Sequence, residues 1–412
     1  MKWTCDWSCE DMTTADWAAW DEVIAASGKS SVHLDSRCVR ALLRTEERQA
    51  AAVRWWGEEG ELIGIAVVED AHAESHNLEG HLEADNRLFR WAYDALQGPD
   101  SVLRFPLRVM GPLLGSGDHA YRFRPAISPE NAQEMAIQTL PELPLKGGFK
   151  PRAFLIKDFV APADAPERIA GGRRWHRKWV DLEFDPLMRI PINPEWTALE
   201  HYMGELKTKA RTKVKRILTC SGDCEIEELT FEEVVEHANL LESLYKLVYE
   251  EAGFRLGELR GADLVQTKST WQNHFRISVL RVGGEILGFQ CGFITPETVE
   301  AFFVGFDRNR HKELALYQRM LVEFIRWGIE AGSREVVMGR TALDIKSSVG
   351  AMPERLYCAV RFPNPVLHLL ARMAARFSHP SFPPLKRPWK QDAYPVAGSV
   401  AGQVAAPVAA RD

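Results

Sequence analysis

The sequence predicts an α/β protein made of two tandem modules, each a mixed central β-sheet flanked by helices. Three observations carry that expectation. Two Gly-centred hairpins look alike, "VRWWGEEGELIGIAVVED" (53–70) and "ISVLRVGGEILGFQCGFIT" (277–295), and their turns "GELIGI" and "GEILGF" agree in type at every position. Each hairpin follows two helical patterns and precedes a strand, a helix and a strand, so the simplest account is one module present twice. A chain of 412 residues is also too long for one ordinary core.

The first module, residues 1–165, opens with the helical patterns "TADWAAWDEVIAAS", with Thr14 as N-cap, and "DSRCVRALLRT". After its hairpin comes "SVLRFPLRVMGPLLGSGDHAYRF", with a proline inside an apolar run and glycines at Gly111, Gly115 and Gly117. A helix over 129–140 and the strand "RAFLIKDFV" (152–160) close it. Pro, Gly and Arg concentrate between about 160 and 195, where the boundary is expected.

The second module, residues 166–380, starts with one long helical pattern, "PEWTALEHYMGELKTKARTKVKRIL". Thr230 and Glu233 then have the spacing of a capping box. "FRISVLRV", "EILGFQCGFIT" and "VEAFFVGF" form a meander. "HKELALYQRMLVEFIRWGIEAG" places Tyr317, Met320, Leu321, Phe324, Ile325 and Gly328 on one helical face, with Gly332 as C-cap. The strand "REVVMG", the polar loop "MGRTALDIKSSVGAMP" (338–353) and a last strand "RLYCAVRF" (355–362) complete the module. "PVLHLLARMAARF" (365–377) reads as a helix packed on its own domain, in preference to one lying on an anionic membrane surface. The Ala, Gly and Pro-rich segment 395–412 reads as a disordered tail.

A hydrophobic fraction of 46%, 26% charged residues and a net charge of -6 describe a globular protein that does not bind polyanions over its whole surface. No DNA partner is expected, while a local basic patch stays open. No run of 18 apolar residues occurs, so membrane association is not expected. Seven scattered cysteines and no signal peptide point to the cytoplasm. Cys5/Cys9 and Cys220/Cys224 share an i, i+4 spacing but have no matching histidine cluster, so no metal site is expected.

Three stretches resemble a known family. They are "EHYMGELKTKARTKVKRIL" (200–218), of pattern Y-x-x-x-L-x-x-K-x-R, then "FVGFDRNRHKELALYQRMLVEFIRWGIEAG", and "GRTALDIKSSVGAMP", similar to a closing G-R-T-A-x-x-I-K-S-x-x-G-A signature. The family is the GNAT superfamily, and within it the tandem-GNAT, Fem-like N-acyltransferases of the peptidoglycan-biosynthesis type. The resemblance covers most of 196–362; over 1–165 it rests on order and spacing. It implies two GNAT-like domains, one active cleft, and amide formation by direct attack of a small-molecule amine. It implies no tightly bound cofactor, and as co-substrate either acyl-CoA (or a carrier-bound acyl thioester) or aminoacyl-tRNA. The donor channel would run along Phe303, Val304 and Gly305.

A typical GNAT cradles the CoA pyrophosphate on a glycine-containing loop at a helix start. Here the segment is "DRNRHKELA", without glycine. Arg308, Arg310 and His311 stand as donor contacts, against the alternative of a solvated helix start. The missing glycines favour delivery by tRNA, and Lys209 and Arg211 in the basic run 207–216 are compatible with phosphate contact or with a merely solvated face. An acceptor amine must lose a proton, and Glu300, Asp307 and Asp344 are the carboxylates near strand ends, Asp344 the foremost. Lys346 would meet a donor phosphate or an oxyanion, with Arg340 and Thr341 holding substrate, unless it clamps the loop through Asp344 or backbone carbonyls. Tyr317 is placed to protonate a leaving thiolate, or is a core residue.

Overall fold

The computed structural model describes residues 2–45, 48–74, 104–144, 149–160, 179–183, 185–250, 257–377 and 384–394. The first half contributes β1 (Thr4–Ser8), α1 (Thr14–Ser27), α2 (Ser36–Leu43), β2 (Gln49–Trp56), β3 (Leu62–Glu74), β4 (Arg104–Met110), β5 (Tyr121–Phe123), α3 (Pro129–Thr139) and β6 (Ala153–Val160). Then come β7 (Val180–Glu183), β8 (Leu187–Pro191), α4 (Leu199–Glu205), α5 (Thr208–Cys220), β9 (Glu225–Glu228), α6 (Phe231–Tyr249) and α7 (Gly261–Trp271). The remainder is β10 (Phe275–Val282), β11 (Glu285–Ile294), β12 (Thr298–Phe306), α8 (Arg308–Leu314), α9 (Leu316–Ala331), β13 (Glu335–Val337), α10 (Leu343–Ser348), β14 (Met352–Glu354), β15 (Leu356–Arg361) and α11 (Pro365–Phe377).

Both look-alike hairpins form, as β2–β3 and β10–β11. They lie in two mixed sheets, one ordered β1-β2-β3-β4-β6-β15-β7 with β5 on β3, the other β9-β10-β11-β12-β13-β8-β14. The two orders are the same design. Four antiparallel strands lead to one parallel step, β4–β6 or β12–β13, followed by an antiparallel strand and a short edge strand.

The strands after the parallel step are exchanged between the halves. β8 pairs β13 in the second sheet, while β15, expected to close that sheet, pairs β6 and β7 in the first. The physical reason is burial: Leu356 to Val360 are all buried, and the position beside β13 is already filled by β8, so β15 covers the open edge of β6. The first sheet thus draws β7 and β15 from beyond residue 165. Of the expected boundary region, about 160 to 195, residues 161–178 lie outside the described residues, as does the tail 395–412.

Local chemistry also corrects three expectations. The N-cap of α1 is Thr13, not Thr14, because Asp16 three residues on closes a reciprocal capping box with Thr13. The long helix expected over 194–218 breaks into α4 and α5. There Leu206, fully buried, leaves the helix to bridge Trp389, and Lys207 N–H donates to Pro388 O. The helix expected from 311 breaks at Ala315, which adopts a left-handed φ of 50° between α8 and α9. Thr230 and Glu233 do form their capping box on α6, and Gly332 ends α9 in the left-handed conformation.

On α11 the residues Val366, Leu369 and Met373 are exposed, so part of its apolar stripe faces away from the domain it flanks. Among the described residues no helix is long and apolar enough to cross a membrane.

Candidate active site

The parallel ladder between β12 and β13 is short. Thr298, Val299 and Glu300 pair Glu335, Val336 and Val337, and there it ends. β12 continues to Phe306 against β11 alone, while β13 turns away through Gly339, which has a φ of 72°. Among the described residues β12 therefore has no ladder partner on its β13 side beyond Glu300. The gap is a splay whose vertex is Glu300.

The vertex is occupied by charge. Glu300 Oε1 lies 2.7 Å from His33 Nε2 and 3.5 Å from His119 Nε2, and all three side chains are largely buried. His33 belongs to the turn before α2, whose N-cap is Asp35, and its ring packs on Phe293 and Phe302 at 5.6 Å. His119 belongs to the β4–β5 connection, and Ser31 Oγ lies 2.8 Å from its Nδ1. His33 Nδ1 has no hydrogen bond among the described residues.

Burial would raise the Glu300 carboxyl, but the neighbouring His119 and His33 outweigh it and hold it well below the usual carboxylate range. Burial in turn lowers the His119 ring, with Glu300 opposing, which favours neutral imidazole beside ionised carboxylate.

The glycine cluster makes this approach possible. A Cβ on Gly115 would lie 2.7 Å from His33 Nε2, and one on Gly117, which has a φ of 124°, would lie 3.1 Å from His119 Nε2. The loop passes directly over both rings and is pinned from β6: Lys157 Nζ donates to Pro112 O at 2.7 Å and to Gly115 O, and Asp158 Oδ2 accepts from Gly117 N at 3.1 Å. Asp158 also pairs Arg340 at 2.7 Å, tying this loop to the turn after β13. Asp158, Thr341 and Ala342 all hold left-handed φ between 49° and 60°. Such conformations cost about 1–3 kcal/mol each in non-glycine residues and persist where the surroundings fix them.

The residues singled out from sequence disperse around this vertex. Glu300 is the one of the three carboxylates that sits in it. Asp344 is on the outer side of α10, half exposed and 2.9 Å from Lys386. Asp307 caps α8 by accepting from Asn309 N at 2.7 Å.

Lys346 lies on a helical turn, not in a loop. It is 4% exposed and its Nζ donates to Arg340 O, the backbone-carbonyl clamp weighed from the sequence. Burial depresses its ammonium to about 7, with Asp185 opposing. Arg340 faces Asp158, and Thr341 is exposed. Tyr317 packs near Phe306 at 6.0 Å, and burial pushes its phenol up, which keeps it protonated.

Phe303 and Gly305 turn toward α6: Phe303 meets Tyr245 edge-on at 5.2 Å, and a Cβ on Gly305 would lie 2.5 Å from Tyr245 N. Val304 packs on the opposite face. What β12 leaves open is its backbone edge. Arg308 is exposed, Arg310 pairs Glu313, and His311 stacks on Phe306 at 4.7 Å while its Nδ1 accepts from Tyr317 N at 3.5 Å. Lys209 is exposed and Arg211 half-buried on α5.

Residues 209–347 match the family model described as an acetyltransferase (GNAT) domain. That segment is a GNAT-type domain. The chain is a transferase of the acyl-transfer class, and the GNAT match takes in the splay, Glu300 and Lys346 but neither His33 nor His119. No curated protein matches the sequence. Among solved structures, the crystal structure of FemX is similar with a TM-score of 0.51 at 11% identity, over 90% of this chain and 100% of that one. A tandem GNAT protein from the clavulanic acid biosynthesis pathway gives 0.45 at 11%, over 88% and 99%. L-PGS from Bacillus licheniformis gives 0.45 at 11%, over 88% and 96%.

Proposed function

We propose that this chain is an N-acyltransferase that moves an acyl group from an acyl thioester, acyl-CoA or carrier-bound, to a small-molecule amine by direct attack. The observation that supports it is the His33–Glu300–His119 cluster at the vertex where β12 parts from β13. An ammonium must lose a proton before its nitrogen can attack. His33 takes that proton through Nδ1, and the Glu300 carboxylate on Nε2 stabilises the imidazolium that results. The amine nitrogen bonds to the donor carbonyl carbon, the C–S bond breaks with its electron pair on sulfur, the second proton shed by the attacking nitrogen goes to the leaving thiolate, and the proton held by His33 passes to solvent. The open backbone edge of β12 past Glu300 holds the donor's arm, and Arg340 and Thr341 bound the acceptor side.

A second donor is favoured by one observation. One amide at each helix start is already engaged, Asn309 N by Asp307 in α8 and Tyr317 N by His311 in α9, while Lys209 on α5 stands exposed. An aminoacyl ester delivered on tRNA needs no pyrophosphate cradle. The test is amide formation with acetyl-CoA and with aminoacyl-tRNA as alternative donors, using wild type, His33→Asn and Glu300→Gln. General-base loss is worth about 10²–10⁴ in kcat. Both variants keeping wild-type kcat with whichever donor reacts would sink the proposal, and the reactive donor decides between the two readings.

A further inference from the structure

We propose that His33, His119 and Glu300 form a binding site for a divalent cation of the zinc type, and that its occupancy switches off acyl transfer. The second statement rests on the proton role proposed for His33; the first does not.

The three groups come from segments far apart in the chain, His33 and Glu300 being 267 residues apart, yet their ligand atoms lie within 4.8 Å of one another. Two imidazole nitrogens and one carboxylate oxygen are a ligand set that zinc accepts with bonds of about 2.0–2.2 Å, which places tetrahedral ligand atoms roughly 3.3 Å apart. The His119–Glu300 separation of 3.5 Å fits that spacing, the His33–Glu300 contact of 2.7 Å has to open by roughly half an ångström, and the two imidazole nitrogens, within 4.8 Å of one another, have to close on the ion.

Three further features fit a ligand set. Ser31 holds His119 by Nδ1, leaving Nε2 directed at Glu300, which is the outer-shell arrangement that orients metal-binding imidazoles. Gly115 and Gly117 let the β4–β5 loop close over the Nε2 atoms: a side chain at Gly115 would collide with His33, and one at Gly117, which has a φ of 124°, would be strained and tight against His119. Phe293 and Phe302 pack on the His33 ring as an apolar wall.

The consequence for acyl transfer follows from the tautomer. A neutral imidazole bound to a cation through Nε2 carries its one proton on Nδ1, the atom that has to accept the amine's proton. Cation and substrate proton therefore exclude one another at His33.

Full-length protein stripped with a chelator is titrated with ZnCl2 against a chromophoric competitor, with metal content checked after dialysis. One Zn2+ per chain is expected, with affinity lowered at least tenfold in His119→Asn and in Glu300→Gln and several-fold in Ser31→Ala. CoCl2 gives a second readout: tetrahedral visible bands without the sulfur-to-metal charge transfer that cysteine ligation would add. Absence of binding, binding undiminished in all three variants, or a thiolate band overturns the site. If folding of the first two variants fails by circular dichroism, Ser31→Ala and the cobalt spectrum still decide. Zinc binding without loss of turnover in wild type overturns the switch alone, and loss of turnover in metal-free His33→Asn tests the proton role separately.

Discussion

Replacing Lys346 by methionine tests whether a buried ammonium is held in this fold at a cost. The side chain is 4% exposed, and burial depresses its pKa from 10.5 to about 7. That gap corresponds to ~5 kcal/mol of penalty at and below pH 7, where the native state must carry the charge. Between 7 and 10.5 the unfolded chain binds the proton and the folded one releases it, so stability rises with pH across that window. Methionine keeps the volume and removes the penalty, but leaves Arg340 O without its donor at a cost of about 1–3 kcal/mol. Lys346→Met should therefore be more stable than wild type by ~2–4 kcal/mol near pH 6.5, and less stable by ~1–3 kcal/mol near pH 10. Urea unfolding of both proteins at several pH values, extrapolated linearly, measures the difference. A difference that does not change with pH, or a destabilised variant at pH 6.5, refutes the reasoning. Full turnover in the same variant would assign Lys346 to holding the Gly339–Ala342 turn.

Asp181 on β7 is 7% exposed, and burial lifts its carboxyl from 3.8 to about 7, so it titrates with the opposite sense: stability is greatest below about pH 4 and falls as pH rises to 7. Asp181→Asn should match wild type near pH 4 and exceed it by up to ~4 kcal/mol above pH 7, again by urea unfolding; equal stability at pH 8 argues against a buried charge there. Gly115→Ala places a Cβ 2.7 Å from His33 Nε2 and should lower kcat at least tenfold by moving His33 off Glu300, at a stability cost of about 1–3 kcal/mol. Unchanged kcat in that variant would mean that His33 has no part in turnover.

The hairpins, the meander and α9 were legible because each is written in local periodicity and turn chemistry. The exchange of β8 and β15 was not. "LMRIP" and "RLYCAVRF" are both buried, apolar and similar in length, and nothing in either says which open edge it covers. The breaks at Leu206 and Ala315 were hidden for a related reason: a bridge to Trp389 and a left-handed alanine are tertiary facts laid over helical patterns. At the site, Glu300 stood among the possible carboxylates, while Asp344 was preferred for its nearness to Lys346 in sequence. In the helical turn of α10 residues two apart point apart, so Lys346 is buried and Asp344 meets Lys386 at the surface. His33 and His119 were missed because sequence spacing says nothing about groups brought together from loops of the other half. The one available signal was the glycines around His119, which mark a backbone passing close to something.

The strand exchange gives those loops their address. β15 fixes the end of the second half against β6, and β6 carries Lys157 and Asp158, which pin the glycine loop and meet Arg340 beside the splay. Moving β15 back to its own sheet would free β6 and with it the register of His119 over Glu300. The same logic bounds what the matched segment can do alone. Residues 209–347 contain Glu300 and both arms of the splay, but lack β8, which lies between β13 and β14, and lack both histidines. Without its two imidazoles Glu300 would lose the neighbours that hold its carboxyl well below the usual range. The chemistry at the vertex is thus a property of the two halves joined, and the exchanged strands are what joins them.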